Sequence, residues 1–352
     1  MTSPAAFVSF LFMVTLFPVF IQAQPVDTIQ KINPVNAYIE NMNDYVNFRL
    51  SLNNDIKGFH VYNTVNYNLE PNDKNILRLS ASYRWLSVAF GMAPKFIAGN
   101  DDDALKGETK TTAFSLNFNF NHWMQSLAYN KVKGYYLANK SAYPVSWQEG
   151  EDPYIRFPDL VYNSYAGQTA YKFNKNFSFS ALSTQTERQL KSAGTFMPAL
   201  IYSYYIVDDK TKLTGLNASQ KSNNLEMLLA AGYYYSCVIS KQYYISAGVT
   251  PAVGFITTKL ITRSADGDIV TQYTNPVYRL DAVCSLGYNG ERFFTGAQFL
   301  ISDEGYKQNK TINVIVSDHF TYQFFVGYRL KAPRFLKQGL SNAEQTGEHI
   351  LK

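Results

Sequence analysis

The sequence predicts an all-β fold: a transmembrane, antiparallel, up-and-down β-barrel of about twelve strands, with roughly fourteen as the alternative. Three observations carry this. Residues 111–130, TTAFSLNFNFNHWMQSLAYN, put Phe114, Leu116, Phe118 and Phe120 on one face and Ala113, Ser115, Asn117 and Asn119 on the other. Strand side chains alternate at period two, so one face is wholly apolar and the other small and polar. The chain of 352 residues holds 27 Tyr and 25 Phe, yet its mean hydropathy is only −0.21. Alternating strands dilute apolar with polar residues in this way, whereas a helical membrane protein is hydrophobic overall. Finally, tight turns and long polar loops succeed one another along most of the chain.

Residues 5–21, AAFVSFLFMVTLFPVFI, form one apolar run followed by Gln22-Ala23-Gln24. This reads as a secretory signal, residues 1–23, cleaved after Ala23. No other run approaches the ~18 apolar residues of a spanning helix. Residues 24–56 are assigned to a periplasmic or lumenal segment, although DYVNFRLSL (44–52) alternates well.

The barrel is expected over 57–330. GFHVYNTVNYNL (58–69) reads as its first strand, with Phe59, Val61, Val65, Tyr67 and Leu69 on one face and His60 on the other. ILRLSASY (76–83) and LSVAFGMA (86–93) follow across Arg84-Trp85, and loop 94–110 leads into the hairpin 111–136. After loop 138–158 come LVYNSYAGQTAYKF (160–173) and the segment 177–207, which is too long for one crossing; ERQLKSAG within it is a candidate to bulge or fold inward. LEMLLAAGYYYSCV (225–238) and YYISAGVTPAVGF (243–255) form the next pair, with a bulge expected at Pro251, which cannot donate to the ladder. Loop 263–274 precedes VYRLDAVCSLGY (277–288), Asn289-Gly290 turns the chain into RFFTGAQFLI (292–301), and FTYQFFVGYRL (320–330) ends the barrel. A polar periplasmic tail, 331–352, is left over. Six long loops and five tight turns require about twelve strands, with the long loops outside the cell.

The strings APKFIAGNDDDALKGETK, FNHWMQSLAYNKVKGYYL, FPDLVYNSYAGQTAYKFN, ERQLKSAGTF and GYRLKAP span most of residues 45–333. Together they resemble a domain-of-unknown-function family of outer-membrane β-barrel proteins from Gram-negative bacteria. The resemblance implies location and a barrel fold, and it carries over no catalytic residue.

Charges facing lipid at mid-depth cost ~2–4 kcal/mol, so the inward phase of the strands identifies lumen-lining candidates. These are Arg78, Arg279, Asp281, Arg292, Gln298, Gln323, Arg329 and His60. They either define a solute path or fill the lumen with ion pairs. Trp85 and Trp123, with Tyr83, Tyr288 and Tyr328, are placed at the periplasmic interface, where amphipathic rings match the headgroup layer. Asp101, Asp102 and Asp103 are a weak Ca²⁺ candidate, because the ligand spacing of a calcium loop is missing; pairing with Lys95 or Lys106 is the plainer reading. Cys237 and Cys284 are read as free thiols on the lipid face, since one intervening strand sets them ~9–10 Å apart.

A net charge of +5 without a basic run gives no reason to expect nucleic acid. Partners are outer-membrane lipid and a small polar solute; no cofactor is expected. The leading function is a narrow channel or passive transporter for small polar solutes. The alternative is a structural or surface-interaction barrel with a filled lumen. A lipid-modifying enzyme comes third and rests only on His319 and Thr321; otherwise no enzymatic activity is expected.

Overall fold

A computed structural model describes residues 34–62, 67–214, 218–306, 313–315 and 319–338. The expected signal segment 1–23 and the end of the tail, 339–352, lie outside the described residues.

Two short strands, β1 (Pro34–Asn36) and β2 (Ile39–Asn41), precede the first wall strand, β3 (Tyr45–Asn53). A hairpin of β4 (Phe59–Tyr62) and β5 (Tyr67–Glu70) follows, then wall strands β6 (Ile76–Tyr83) and β7 (Leu86–Met92). The short helix α1 (Asp103–Lys106) sits in the next loop, and β8 (Lys110–Asn119), β9 (Trp123–Leu137) and β10 (Arg156–Tyr171) continue the wall. Between β10 and the wall strand β12 (Ala193–Asp209) lie α2 (Ser180–Ser183) and the short β11 (Glu187–Gln189). Then come β13 (Ser219–Ser240), β14 (Tyr243–Ser264), β15 (Gly267–Asn289) and β16 (Phe293–Tyr306). The short β17 (Asn313–Ile315) precedes the last strand, β18 (His319–Lys331).

Each wall strand pairs antiparallel with the next, and β18 returns to β3, with Arg329 opposite Asn47 and Gln323 opposite Asn53. The ring β3-β6-β7-β8-β9-β10-β12-β13-β14-β15-β16-β18 closes on itself with twelve strands. Closure is what lipid demands, because an open edge would leave backbone donors and acceptors without partners. The outward phase carries Leu79, Phe90, Phe114, Leu229, Val253 and Ile301, all exposed. Cys237 and Cys284 are free and exposed on that same phase.

Next to the tight turns the outward rings form a belt. Trp85 stacks with Phe118 and Phe120 at centroid distances of 6.0 and 5.4 Å. Trp123, Tyr171, Phe173 and Phe196 form a second run, and Tyr243, Tyr288 and Phe293 a third. The belt marks the membrane interface at the turn end. Tyr83 is not an exposed member of it. A short helical segment at 334–338 follows β18, and Ala332 and Leu336 cover Tyr83 and Val46. The start of the tail therefore packs back on the barrel rim, where Lys337 reaches Asp44.

Four sequence expectations are corrected. The barrel begins at Tyr45, not at 57: β3 pairs with both β6 and β18, so 45–53 is a crossing strand. Residues 58–69 instead form the β4–β5 hairpin in the first long loop, pairing with the far end of β9 and with β17. The physical reason is that Phe59 faces protein rather than lipid, 1% exposed between the rings of Tyr135 and Tyr162. Residues 177–185 are not a strand, and 178–189 fold across the turn end. The loop 263–274 is mostly sheet, because β14 and β15 run on to a turn at residues 265–266. At 22 and 23 residues these strands far exceed the ~9–11 needed to cross. Finally, Pro251 makes no bulge. Pro251 stays opposite Leu280, and the β13–β14 register is unchanged from Ala230↔Ala252 to Tyr233↔Val249. The ring nitrogen costs one ladder bond without inserting a residue.

Candidate functional site: the closed lumen

The inward phase of β3 and β6–β9 reads Asn47, Arg49, Ser51, Arg78, Ser80, Ser87, Ser115, Asn117 and Ser126, small or polar at almost every step. All of these except Asn47 and Ser51 line a cavity of about 240 Å³. Its lining adds Gln168, Gln298 and Gln323 from other strands, and Phe179, Ser183 and Thr184 from the segment folded into the turn end. No Asp or Glu lines it.

That folded segment is latched to the wall by side chains that donate to its backbone. Asn47 Nδ2 reaches Thr184 O at 3.0 Å, Arg49 Nη1 reaches Ser183 O at 2.6 Å, and Asn289 Nδ2 reaches Glu187 O at 3.0 Å. Arg329 Nη2 reaches Gln185 O at 2.6 Å, while its other nitrogen donates to Gly290 O. Asn119 Nδ2 adds a 3.3 Å contact to Ser183 Oγ. Beneath, β11 joins β2 and β1 in a three-stranded sheet, and Arg188 pairs with Glu40. Gln189 clasps the segment from within, accepting from Ser178 N at 2.7 Å and donating to Asn176 O at 2.7 Å. Phe177 is fully buried, and Phe179 meets Tyr234 edge-on. The segment is a plug.

The loop end holds an apolar cluster instead. Ile56 and Phe59 pack inward on Ile76, Val132, Tyr135, Leu160 and Tyr162. Each such side chain removed from water contributes roughly 1.5–3 kcal/mol, so this cap is a small core of its own. Between cap and cavity, on the opposite flank, Arg279 lies amid three carboxylates: Glu226 at 3.7 Å, Asp281 at 3.4 Å and Glu304 at 3.9 Å. Ser302 donates to Asp281 at 2.6 Å.

The lumen-lining candidates separate into groups. Arg78, Gln298 and Gln323 border the cavity. Arg279 and Asp281 belong to the ion cluster above it. Arg329 is fully buried in the latch, its guanidinium 4.8 Å from the Phe294 ring centre. Arg292 is not in the lumen: it is exposed beside the 290–292 turn, over the Tyr45 ring at 5.5 Å. Its phase fails because the turn ends before β16 begins. His60 is not on the wall either; it sits in β4, opposite Asn68 and Ile315, and its side chain lies outside the described residues. Arg49 and the carboxylates Glu226 and Glu304 escaped the sequence reading. Arg49 shares the phase of Asn47 and Ser51, and that signal was present in 44–52.

In the second long loop, between β7 and β8, Asp103 pairs with Lys95 at 2.8 Å and accepts from Asn72 Nδ2 at 2.7 Å, while Asp102 pairs with Lys106 at 2.8 Å. The acidic run is thus engaged by lysines, and no group of three metal-ligating residues occurs among the described residues. His122 Nδ1 lies 2.8 Å from Lys172 O, and its ring stacks on Tyr171.

The family model described as "Domain of unknown function (DUF4421)" matches residues 26–330. The chain belongs to this family. No curated protein matches the sequence. Among solved structures, it is similar to the outer membrane protease OmpT from Escherichia coli, at 9% identity and a TM-score of 0.37, covering 82% of this chain and 97% of that one. It is similar also to the β-domain of the Bordetella autotransporter BrkA, at 9% identity and a TM-score of 0.37, covering 82% of this chain and 100% of that one. A third is the TodX monoaromatic hydrocarbon channel, at 8% identity and a TM-score of 0.31, with 82% and 91% covered. Likenesses this distant assign no activity. The fold itself is that of an outer-membrane β-barrel.

Proposed function

We propose that this barrel is a gated, narrow passage for small polar solutes across the outer membrane. One observation carries the reading: a cavity of about 240 Å³, lined mainly by Ser, Asn, Gln and two Arg side chains, lies between the barrel wall and the plug. A cavity of roughly 150 Å³ accepts benzene, so by scaling this one holds about ten heavy atoms. Ser80, Ser87, Ala89, Ser115 and Ala170 leave space between the longer polar side chains of the lining, and the plug is held by exchangeable hydrogen bonds rather than by covalent links. Displacing the plug toward the periplasm would join the cavity to that side.

A second reading is favoured by the same plug: five wall side chains bind it, and a barrel meant to stay closed would be built so. In that case the long β13–β15 sheet at the loop end would be the working surface. Liposome swelling separates the two. Proteoliposomes should admit a hexose-sized solute and exclude a tetrasaccharide. Swelling no faster than in protein-free liposomes would leave the closed structural barrel.

A further inference from the structure

The cavity is electrically one-sided. Arg49 lies opposite Ser80 and Arg78 opposite Ser51, so the two arginines are diagonal neighbours on β3 and β6, and both border the cavity. Arg49 spends Nη1 on the plug and rests on the Phe325 ring at 5.2 Å. Its Nε, and the Nε of Arg78, are buried and meet no acceptor among the described residues. The carboxylate that bears electrostatically on Arg78 is Asp55, which is itself paired with Lys57 at 3.8 Å. Gly91 lies beside Arg78 but makes room for Ile76: a Cβ there would crowd Ile76 Cγ2 at 2.9 Å and stand in ordinary contact with Arg78 Nε at 3.5 Å.

The rest of the lumen is treated differently. The Nε atoms of Arg279 and Arg329 also make no hydrogen bond, but Arg279 has three carboxylates within 4 Å, and Arg329 has carbonyl and amide oxygens on its terminal nitrogens. The carboxylates are not at the cavity. Glu304 lies six residues further along β16 than Gln298, roughly 20 Å toward the loop end. Two half-buried guanidinium groups that share one wall of the cavity, with no carboxylate in its lining, make that wall attractive to negative charge. A carboxylate or phosphate group does so with several oxygens at once, matching the planar donor fork of arginine.

We infer that the cavity is a binding site for a small oxyanion, a polar solute of about ten heavy atoms bearing a carboxylate or phosphate. Arg78 is its main ligand and Arg49 the second; Gln298, Gln323 and Ser126 offer hydrogen bonds to hydroxyl groups. The assignment deepens the gated-passage reading, since it names the solute class of the same cavity.

Calorimetric titration of the full-length chain in detergent tests it, independently of transport. The probes are glucuronate, glycerol 3-phosphate, glucose and glucosamine. Both anionic probes should bind at least tenfold tighter than glucose, and glucosamine should bind no better than glucose. Whichever anion binds more tightly identifies the group, carboxylate or phosphate. Arg78→Gln should cost the anionic probes roughly tenfold, the scale of one charge-assisted hydrogen bond, and leave glucose unchanged. Arg78→Lys should restore part of the loss, and it serves as the test if the glutamine variant fails to fold. Equal affinity for glucose and the anions, preference for glucosamine, no binding of any probe, or indifference to both Arg78 variants would overturn the site. Anion binding without liposome flux keeps the site and removes the passage. Flux without anion binding does the reverse.

Discussion

Arg49 Nη1 donates to the backbone oxygen of Ser183 at 2.6 Å, joining the first wall strand to the plug. The same guanidinium borders the cavity on its other side. One residue thus touches both the closure of the lumen and the space it closes.

At the turn end, Arg329 serves more acceptors than any other side chain of the latch described above. Arg329→Ala removes a buried cation that serves Gly290 O, Gln185 O and Asn289 Oδ1. Leaving those acceptors buried and unpaired is expected to cost about 3 kcal/mol. Urea unfolding in detergent, followed by the shift in gel mobility on heating, should show the loss. A midpoint equal to wild type would mean that the plug is not held there.

Topology is readable from labelling. In a background with Cys237 and Cys284 replaced by Ser, single cysteines at Asp102, Gly150 and Thr211 should react with a charged maleimide on intact cells. Cysteines at Lys175 and Lys241, in the tight-turn layer, should react only after the outer membrane is opened. The inverse pattern would invert the barrel.

Much of the wall was legible in the sequence, for physical reasons that hold residue by residue. Phe114 to Phe120 alternate because lipid and lumen impose opposite chemistries on adjacent positions, and Asn289-Gly290 marks its hairpin by turn geometry. Arg78, Gln298 and Gln323 followed from phase alone. What failed was the choice between two alternating segments. Phe59 and Leu69 alternate as a lipid-facing strand does, but Phe59 meets Tyr135 and Tyr162 inside a loop. Period two reports an apolar face and is silent on what covers it. Assigning 58–69 to the wall then displaced 44–52, and Arg49 was lost with it. The plug was visible only as excess length between β10 and β12, since its hydrogen bonds run from wall side chains to backbone oxygens that no sequence pattern marks.

The first long loop gives a pH signature of two opposite signs. Burial raises Asp73 above its ordinary 3.8, although Thr111 and Lys95 oppose this. For Glu70, burial pushes upward, but Lys74 at 2.6 Å, with Asn68 and Tyr136, brings the group below its ordinary 4.5. A raised carboxylate contributes stability below its unfolded pKa and loses it as pH climbs through the folded value; a depressed one contributes above its unfolded pKa and loses it as pH falls. Asp73→Asn should therefore gain on wild type as pH rises from 3.8 through the raised value. Glu70→Gln should cost more at pH 7 than below 4.5. Thermal midpoints of the three proteins at pH 3.5 and 7 would show it, and parallel shifts would contradict it.

The gate itself is tested most directly by fixing it shut. Asn119 Nδ2 and Ser183 Oγ lie 3.3 Å apart, one on the wall and one on the plug. In the background without Cys237 and Cys284, Asn119→Cys with Ser183→Cys should form a disulfide, seen as a shift in non-reducing mobility. Flux of glucuronate into proteoliposomes should then fall to the protein-free rate, and reductant should restore it. Undiminished flux with the cross-link in place would contradict a passage gated by this plug.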